Sequence, residues 1–150
     1  MTERLVWRMF KTLSALELYE VLRLRADVFV VEQNCVFADI DGKDPAALHL
    51  LAWDGDALAG YLRLFGPSEQ VDARIGRVVV AKAARSTGLG RRLMAAALDE
   101  VAQRFGPVPV VLSAQAHLER FYAGFGFVRI SEDYLEDDIL HCDMRRVPNP

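Results

Sequence analysis

The chain has 150 residues, of which 52% are hydrophobic, so we expect a single domain over 1–150 with a substantial buried core. Acidic residues outnumber basic ones by 21 to 18 and no long basic run occurs, which argues against nucleic acid as a partner. Two cysteines are too few for a disulfide scaffold, and the sequence shows neither a signal-peptide core nor an apolar run near ~20 residues, so we expect a cytoplasmic protein with no membrane partner.

Apolar periodicity and turn residues predict alternating strands and helices. The sequence Ser14-Ala15-Leu16-Glu17 fits a capping box that opens a helix, and Asp54-Gly55-Asp56 between two apolar runs indicates a hairpin. In chain order the predicted elements are a strand at 5–10, a helix at 15–29, strands at 48–53, 58–64 and 74–80, a helix at 89–105, a strand at 108–112, a helix at 115–125, and strands at 127–130 and 139–144. The acidic segment 132–138 is predicted to be a connector. This order favours an α/β sheet covered on both faces.

The predicted strand at 74–80 leads through a glycine turn directly into the second long helix. Gly88 and Gly90 let the backbone turn with no side chain in the way. The first turn of a helix has unpaired N–H groups and a partial positive charge, so it attracts phosphate. Three arginines add full charges near this turn: Arg85, Arg91 and Arg92. The sequence therefore predicts a phosphate-binding turn.

Two common phosphate-binding motifs do not fit this turn. The Walker motif ends in Gly-Lys-Ser/Thr, whereas Gly90 is followed by Arg91 and Arg92, which excludes a P-loop. The dinucleotide motif needs a third glycine where Leu93 stands, so a Rossmann site is not expected either.

Residues 85–90, Arg-Ser-Thr-Gly-Leu-Gly, resemble the Gln/Arg-x-x-Gly-x-Gly/Ala pyrophosphate loop of the GNAT N-acetyltransferase superfamily. Tyr122, followed by Gly-Phe-Gly-Phe at 124–127, is similar to the late Tyr-x-x-x-Gly-Phe signature of the same superfamily. Five further segments resemble its ElaA branch: 28–35, 39–44, 49–50, 75–80 and 114–118. The resemblance extends over roughly residues 20–145.

The resemblance implies a mixed, mostly antiparallel central sheet of about six to seven strands with helices on both faces. It also implies acetyl-CoA as co-substrate, held by the backbone of the strand before the loop and by the loop itself. The residues that it assigns to the coenzyme are Val78, Val80, Arg85, Ser86, Thr87, Gly88, Leu89, Gly90, Arg91 and Gln115. Gln115 stands where many members have Asn, and Lys82 where the superfamily often has Pro.

Acetyl transfer to an amine needs an unprotonated amine, a polarised thioester and a proton for the departing thiolate. Tyr122 matches the tyrosine that the resemblance implies as general acid, with plain core packing as the alternative. His141 interrupts an apolar strand and is expected in the acceptor site. Glu32 is the first candidate in an acidic mouth that attracts a cationic amine. The other candidates in that mouth are Asp39, Asp41, Glu136, Asp137 and Asp138.

No glutamate lies on 75–80, where several relatives keep a base, so the general base stays unassigned. No paired His/Cys spacing occurs, so we expect no metal. The leading hypothesis is an acyl-CoA-dependent N-acetyltransferase that moves an acetyl group directly to an amine of a small molecule or peptide. The alternatives are a non-catalytic acyl-CoA-binding regulatory module and an acyl-homoserine-lactone-type synthase on the same fold. A homodimer stays open as a further partnership.

Overall fold

The computed structural model of the protein describes residues 3–149. The helices are α1 (Ala15–Arg25), α2 (Leu89–Phe105) and α3 (Glu119–Ala123), and α1 continues as a π-helical segment, Ala26–Glu32. The strands are β1 (Arg4–Met9), β2 (Leu48–Asp54), β3 (Ala57–Phe65), β4 (Ala73–Val80), β5 (Val110–Gln115), β6 (Val128–Arg129), β7 (Tyr134–Glu136) and β8 (Ile139–Arg146). No helix within 3–149 combines the length and the apolar character needed to cross a membrane.

All eight strands form one sheet, in the order β1-β2-β3-β4-β5-β8-β6, with β7 also paired to β8. Every pairing is antiparallel except that of β4 with β5, which confirms the expected mixed, mostly antiparallel sheet. The parallel pairing consists of two residue pairs, Ala73 with Val110 and Arg74 with Val111. Beyond them β4 and β5 no longer pair, so the sheet is open between 75–80 and 112–115. We call this gap the sheet opening.

Helices cover both faces of the sheet, as expected. On one face α2 and α3 lie over the strands, and Leu93 and Met94 of α2 pack with Leu62 and Ile75. On the other face α1 and the π-helical segment contribute to a second core with these residues: Val21, Leu24, Val28, Leu51, Trp53, Leu58, Tyr61 and Val79. Since successive strand residues point to opposite faces, the continuous apolar run 50–53 of β2 contributes to both cores.

β4 contains a bulge. Two of its residues, Arg77 and Val78, lie opposite a single residue of β3, Leu62. Arg77 has a φ of +53°, in the left-handed region that side-chain-bearing residues rarely adopt. The extra residue reverses the alternation of the strand, because Ile75 before the bulge packs beneath α2 and Val79 after it packs beneath α1.

Three predicted boundaries late in the chain were wrong. The strand predicted at 108–112 lies at Val110–Gln115, and the helix predicted at 115–125 consists of a 3-10 turn, Ala116–Leu118, followed by α3 at Glu119–Ala123. The strand continues to Gln115 because it pairs with β8 along its whole length. The predicted connector 132–138 contains β7, so the sheet has eight strands where six or seven were expected.

Candidate active site

The first turn of α2 presents free backbone donors. Gly88 caps the helix with a φ of +84°, and no side chain accepts a hydrogen bond from this turn. The Arg92 N–H donates to the Gly88 carbonyl at 3.2 Å, so the N–H groups of 89–91 have no partner within the helix. By contrast, Ser14 and Glu17 cap the first turn of α1 reciprocally. The predicted phosphate turn thus has the donors that a phosphate needs.

The residues before this turn hold it in place. Ser86 is exposed with a φ of +65°, and Thr87 Oγ1 donates to the Ala84 carbonyl oxygen at 2.6 Å. Leu89, the first residue of α2, is 1% exposed, and its side chain packs in the core between α2 and the sheet. The side chain of Leu89 therefore anchors the turn, and its backbone alone is open to a ligand.

Gly90 lies where the phosphate turn, the end of β4 and α3 meet. A Cβ at Gly90 would lie 3.5 Å from Phe121 Cζ and 3.9 Å from Val80 Cγ2. Phe121 in turn packs edge-on against Tyr122, with ring centroids 5.1 Å apart. One layer of side chains therefore separates the phosphate turn from the predicted proton donor.

A cleft of about 340 Å³ lies between α2 and α3, beside the turn. Within the described residues its lining includes no acidic side chain, and it contains Arg91, Arg92, Arg120, Phe121 and Phe125. Arg120 carries no signal in the sequence, because only the packing of α3 against α2 brings it close to the arginines of the turn.

Arg85 and Glu32 form a bidentate ion pair. The two terminal nitrogens of Arg85 donate to the two carboxylate oxygens of Glu32 at 2.7 and 2.8 Å. Arg85 Nε donates to the Val80 carbonyl oxygen at 3.2 Å. The hydrogen bonds from Arg85 lower the pKa of Glu32. The structure therefore joins a residue predicted for the acceptor to one predicted for the coenzyme.

Tyr122 is 6% exposed and lies in α3. Its ring meets Phe121 and Phe127 edge-on. Burial raises its pKa to about 12, so the hydroxyl keeps its proton at neutral pH. No hydrogen bond within residues 3–149 engages this hydroxyl, which leaves its proton free for a ligand.

Gln115 and His141 are direct partners in the pairing of β5 with β8, next to the sheet opening. The amides of Gln115 and Gln33 lie 3.3 to 3.4 Å apart. His141 Nδ1 donates to the Ile139 carbonyl oxygen at 2.7 Å, since a carbonyl only accepts. The other nitrogen, Nε2, lies 3.5 Å from Glu136 Oε2. The carboxyl end of β5 is thus lined by groups able to bind a polar molecule.

Asp39 and Asp41, predicted to line the acceptor mouth, are neutralised by arginines. Asp39 pairs with Arg25 and Arg77, each at 2.9 Å. Asp41 pairs with Arg63 at 2.7 Å. This part of the prediction was wrong, because arginines from α1, β3 and β4 fold onto acids that look free in the sequence.

Asp44 completes this arrangement, which we call the buried ion cluster: Arg25, Asp39, Asp41, Asp44, Arg63 and Arg77. Asp44 is 5% exposed and accepts from Arg25 at 2.8 Å and from Arg63 at 3.0 Å. Burial acts to raise the pKa of Asp44, but the two guanidinium groups outweigh it, so the pKa is lowered. The hydrogen bonds from Arg63 likewise lower the pKa of Asp41. Three acids and three arginines leave the cluster with no net charge.

The sheet opening, the phosphate turn and the polar groups at the end of β5 all lie within residues 22–147, the part of the chain that matches a known domain family. The family model described as the acetyltransferase (GNAT) domain matches residues 22–147, and the chain belongs to this family. The resemblance noted in the sequence is therefore confirmed.

Several known proteins are similar to this chain over nearly its whole length. The chain is 43% identical to the protein ElaA of Escherichia coli (strain K12) over 137 residues, which cover 89% of this chain and 90% of that protein. Its fold matches the crystal structure of an acyl-CoA N-acyltransferase from Pseudomonas aeruginosa with a TM-score of 0.93 and 44% identity, over 97% of this chain and 100% of that one. The crystal structure of Escherichia coli ElaA gives a TM-score of 0.90 at 39% identity, over 96% and 99% of the two chains. The fold supports acyl-CoA-dependent acyl transfer.

The buried ion cluster should make stability depend on pH. Because the pKa values of Asp41 and Asp44 are lower in the folded chain, their contribution is fully present above about pH 4, near the ordinary pKa of Asp. It is lost as the pH falls further, through the lowered values. Asp44→Asn should therefore lower the free energy of unfolding at pH 7 by about 3 kcal/mol, because it leaves two buried arginines underpaired. The difference from the parent should shrink towards pH 3.5.

Urea unfolding of both chains between pH 7 and 3.5 measures this difference. Asp56→Asn is the matched control, since Asp56 is exposed in the turn between β2 and β3, and it should unfold like the parent. A deficit for Asp44→Asn that stays constant with pH would contradict the assignment.

Proposed function

We propose that the protein transfers an acetyl group from acetyl-CoA directly to an amine of a small molecule or peptide. The observation that carries the proposal is the meeting of the phosphate turn, the end of β4 and α3 at Gly90. A coenzyme with its pyrophosphate on the first turn of α2 brings its thioester to the sheet opening. Tyr122 lies on the same face of the sheet as α2, and so on the side from which the thiol arrives.

The backbone of β4 supports a role for Val78 and Val80 in holding the coenzyme arm. The Ala81 N–H donates to the Ala59 carbonyl of β3 at 2.8 Å. Backbone groups alternate in direction along a strand, so those of Val80 point away from β3, and the Val80 carbonyl indeed accepts from Arg85. The same alternation turns Val78 towards the sheet opening, where β5 offers no partner. Both residues are proposed to hydrogen-bond the pantetheine arm.

The phosphates are proposed to lie on the N–H groups of 89–91, with charge supplied by Arg85 and Arg91. The neighbouring cleft, with Arg120 and Phe121 in its wall, suits the nucleotide part because it combines positive charge with an aromatic surface. Gln115 is proposed to contact the coenzyme from the far side of the sheet opening.

The proposed reaction has two proton transfers, one at His141 and one at Tyr122, on opposite sides of the sheet opening. The amine nitrogen forms a bond to the thioester carbonyl carbon, and the bond from that carbon to sulfur breaks. His141 Nε2 is proposed to take the proton that the amine loses and to release it to solvent. The Tyr122 hydroxyl protonates the departing thiolate and regains its proton from solvent. Like any phenol, the Tyr122 hydroxyl is protonated at neutral pH, as a proton donor must be, and burial raises its pKa further.

Acceptor selection is proposed to depend on Glu32 and on three acids at the end of β7 and in the turn that leads to β8. Glu136, Asp137 and Asp138 are exposed, and none of them meets an arginine or lysine in the described part of the chain. Cys35 Sγ donates to the Asp137 carbonyl at 2.7 Å, which ties this turn to the segment that follows Glu32. These acids form a mouth that favours a cationic amine.

Glu32 also links the two substrates through Arg85. Both terminal nitrogens of Arg85 donate to Glu32, so a pyrophosphate at the turn competes with Glu32 for them. We propose that the coenzyme takes over Arg85 and that the carboxylate of Glu32 then receives the amine. Coenzyme binding would in this way precede acceptor binding.

Gly90→Glu is expected to abolish coenzyme A binding, because it puts a side chain and a negative charge where the pyrophosphate approaches. The fold should survive, since a Cβ there meets atoms only at ordinary contact distances of 3.5 Å and beyond. Isothermal titration calorimetry measures the binding. Gln103→Glu, which adds the same charge at an exposed site near the end of α2, should bind like the parent. An unchanged affinity in a folded Gly90→Glu chain would remove the turn from the coenzyme site.

Tyr122→Phe is expected to lower kcat by about 10²- to 10⁴-fold with little change in coenzyme affinity, because only the proton donor is lost and the ring still fills the core. Steady-state kinetics and calorimetry measure the two quantities. Tyr19→Phe removes a hydroxyl from an exposed tyrosine of α1 and should leave kcat unchanged. Turnover of Tyr122→Phe within about threefold of the parent would refute general acid catalysis by Tyr122.

Glu32→Gln is expected to raise the KM of a cationic amine by roughly fivefold, because one charge pair with the acceptor is lost. The KM of the parent should rise with salt, and that dependence should weaken in the variant. Glu69→Gln, in the exposed turn between β3 and β4, is the control for the change in net charge. A KM for the amine that matches the parent would exclude Glu32 from the acceptor site.

A further inference from the structure

Asp39 joins α1 to β4 inside the buried ion cluster. Its Oδ2 accepts from Arg25 Nε and its Oδ1 from Arg77 Nε, each at 2.9 Å. Its backbone carbonyl accepts from the terminal nitrogens of the same two arginines, at 2.9 and 3.1 Å. Arg25 is completely buried and Asp39 is 7% exposed. Asp39 is therefore fixed by the buried Arg25 of α1, and it in turn fixes the side chain of Arg77.

Arg77 is the bulge residue of β4, and its left-handed backbone needs support. An L residue with a φ of +53° has less favourable backbone sterics than one in an extended strand. The Arg77 guanidinium group meets Asp39, lies 3.5 Å from Asp41 and stands over the ring of Phe37 at 5.9 Å. Every one of these contacts comes from the segment 37–41, so this segment fixes the conformation of Arg77.

The bulge decides which backbone groups of β4 face the sheet opening. A slip of one residue in a strand sends each side chain and each backbone group to the opposite direction. Without the bulge, the alternation of the strand before Arg77 would continue unchanged. The backbone N–H and C=O groups of Val79, and not those of Val78, would then face the sheet opening. The orientation of the strand end therefore depends on the left-handed residue.

The ionic character of this support is informative. Buried ion pairs contribute little net stability compared with apolar side chains of similar volume, because the charges lose their hydration. Hydrogen bonds between Asp39 and the guanidinium group do, however, fix direction, which apolar packing does not. A cluster of this kind suits the control of geometry better than the provision of stability.

We propose that Asp39 is a positioning residue for acyl transfer: it holds Arg77 in the left-handed conformation, and the bulge aims the backbone of Val78 and Val80 at the thioester arm. This inference rests on the proposed function. It replaces the acceptor-binding role that the sequence suggested for Asp39.

The test compares Arg77→Ala with Arg77→Gly. Both variants remove the guanidinium group, but only glycine adopts a positive φ without steric cost. Arg77→Ala should lower kcat by up to about 10²-fold, and Arg77→Gly should retain several-fold more activity than Arg77→Ala. Asp72→Asn, which breaks the half-exposed pair with Arg145 just before β4, is the control and should leave kcat unchanged.

Asp39→Asn supplies an independent arm of the test. It should lower kcat with little change in coenzyme affinity, and adding Arg77→Gly in the same chain should restore part of the loss. A cluster that only stabilises the fold would lower the unfolding temperature of these variants and give no rescue by glycine. That result would overturn the proposal. If Arg77→Gly does not fold, Arg77→Asn takes its place, because Asn tolerates the left-handed region.

Amide chemical shifts of 78–80, measured by NMR without substrate, follow the bulge directly. They should move in Arg77→Ala and return towards the parental values in Arg77→Gly. Equal shifts, or equal losses of kcat, in the two variants would overturn the positioning role. A parent chain that binds coenzyme but shows no turnover would refute the proposed function alone, since the shifts would still test the role of Asp39.

Discussion

The short pairing between β4 and β5 is the constraint on which the site depends. Two residue pairs join these strands, and beyond them each strand is held only from its outer side. β3 holds β4, and β8 pairs with β5 from Val110 to Gln115. Because both outer ladders continue where the inner one stops, the sheet stays open without losing its strands. Unpaired backbone groups in the middle of a sheet are otherwise costly, so a ligand or water must satisfy them.

The two faces of the opening are built by different means. On the face of α2 the support is apolar: Leu89 and Leu93 approach Gly60 so closely that a Cβ there would lie 3.0 Å from each of them. On the face of α1 an apolar core that includes Val79 is joined by ion pairs, with Arg25 completely buried. Apolar packing sets how near the helix lies, and the ion pairs set the direction of the bulge. Together, the apolar packing and the ion pairs fix the distance of the end of β4 from α2 and the direction of its backbone groups.

Much of the fold could be predicted because its signals are local. The hairpin at Asp54-Gly55-Asp56, the capping box at Ser14 and the end of α2 at Gly106 each depend on a few neighbouring residues, and Gly106 has the positive φ expected of a helix terminator, +78°. β7 could not be predicted in the same way. Its three residues lie in an acidic stretch, and they form a strand because Asp137 and Asp138 turn with φ values of +50° and +64° and return the chain along β8.

In the candidate site, too, the features that depend on neighbouring residues could be predicted, and those that depend on distant residues could not. The glycine turn and the helix that follows it are adjacent in sequence, so their combination was visible before the structure. The ion pairs were not, because Asp39 is 14 residues from Arg25 and 38 from Arg77. Similarly, 53 residues separate Glu32 from Arg85. A sequence shows where acids are, but their partners decide whether they are free to bind a substrate.

The net charge of −3 conceals a separation of basic and acidic side chains between the two sides of the sheet opening. The buried ion cluster contributes nothing to it, since its acids and arginines cancel. Arginines of α2 and α3 line the cleft on one face. Three exposed acids, Glu136, Asp137 and Asp138, lie at the end of β7 and in the turn that follows it, and the hydrogen bond from Cys35 ties this turn to the chain just after the π-helical segment. Charges within about 8 to 10 Å act on a ligand at physiological salt, so each substrate responds mainly to its own side. On the proposed function, a polyanionic coenzyme and a cationic amine would therefore occupy the opening together without competing, as direct transfer requires.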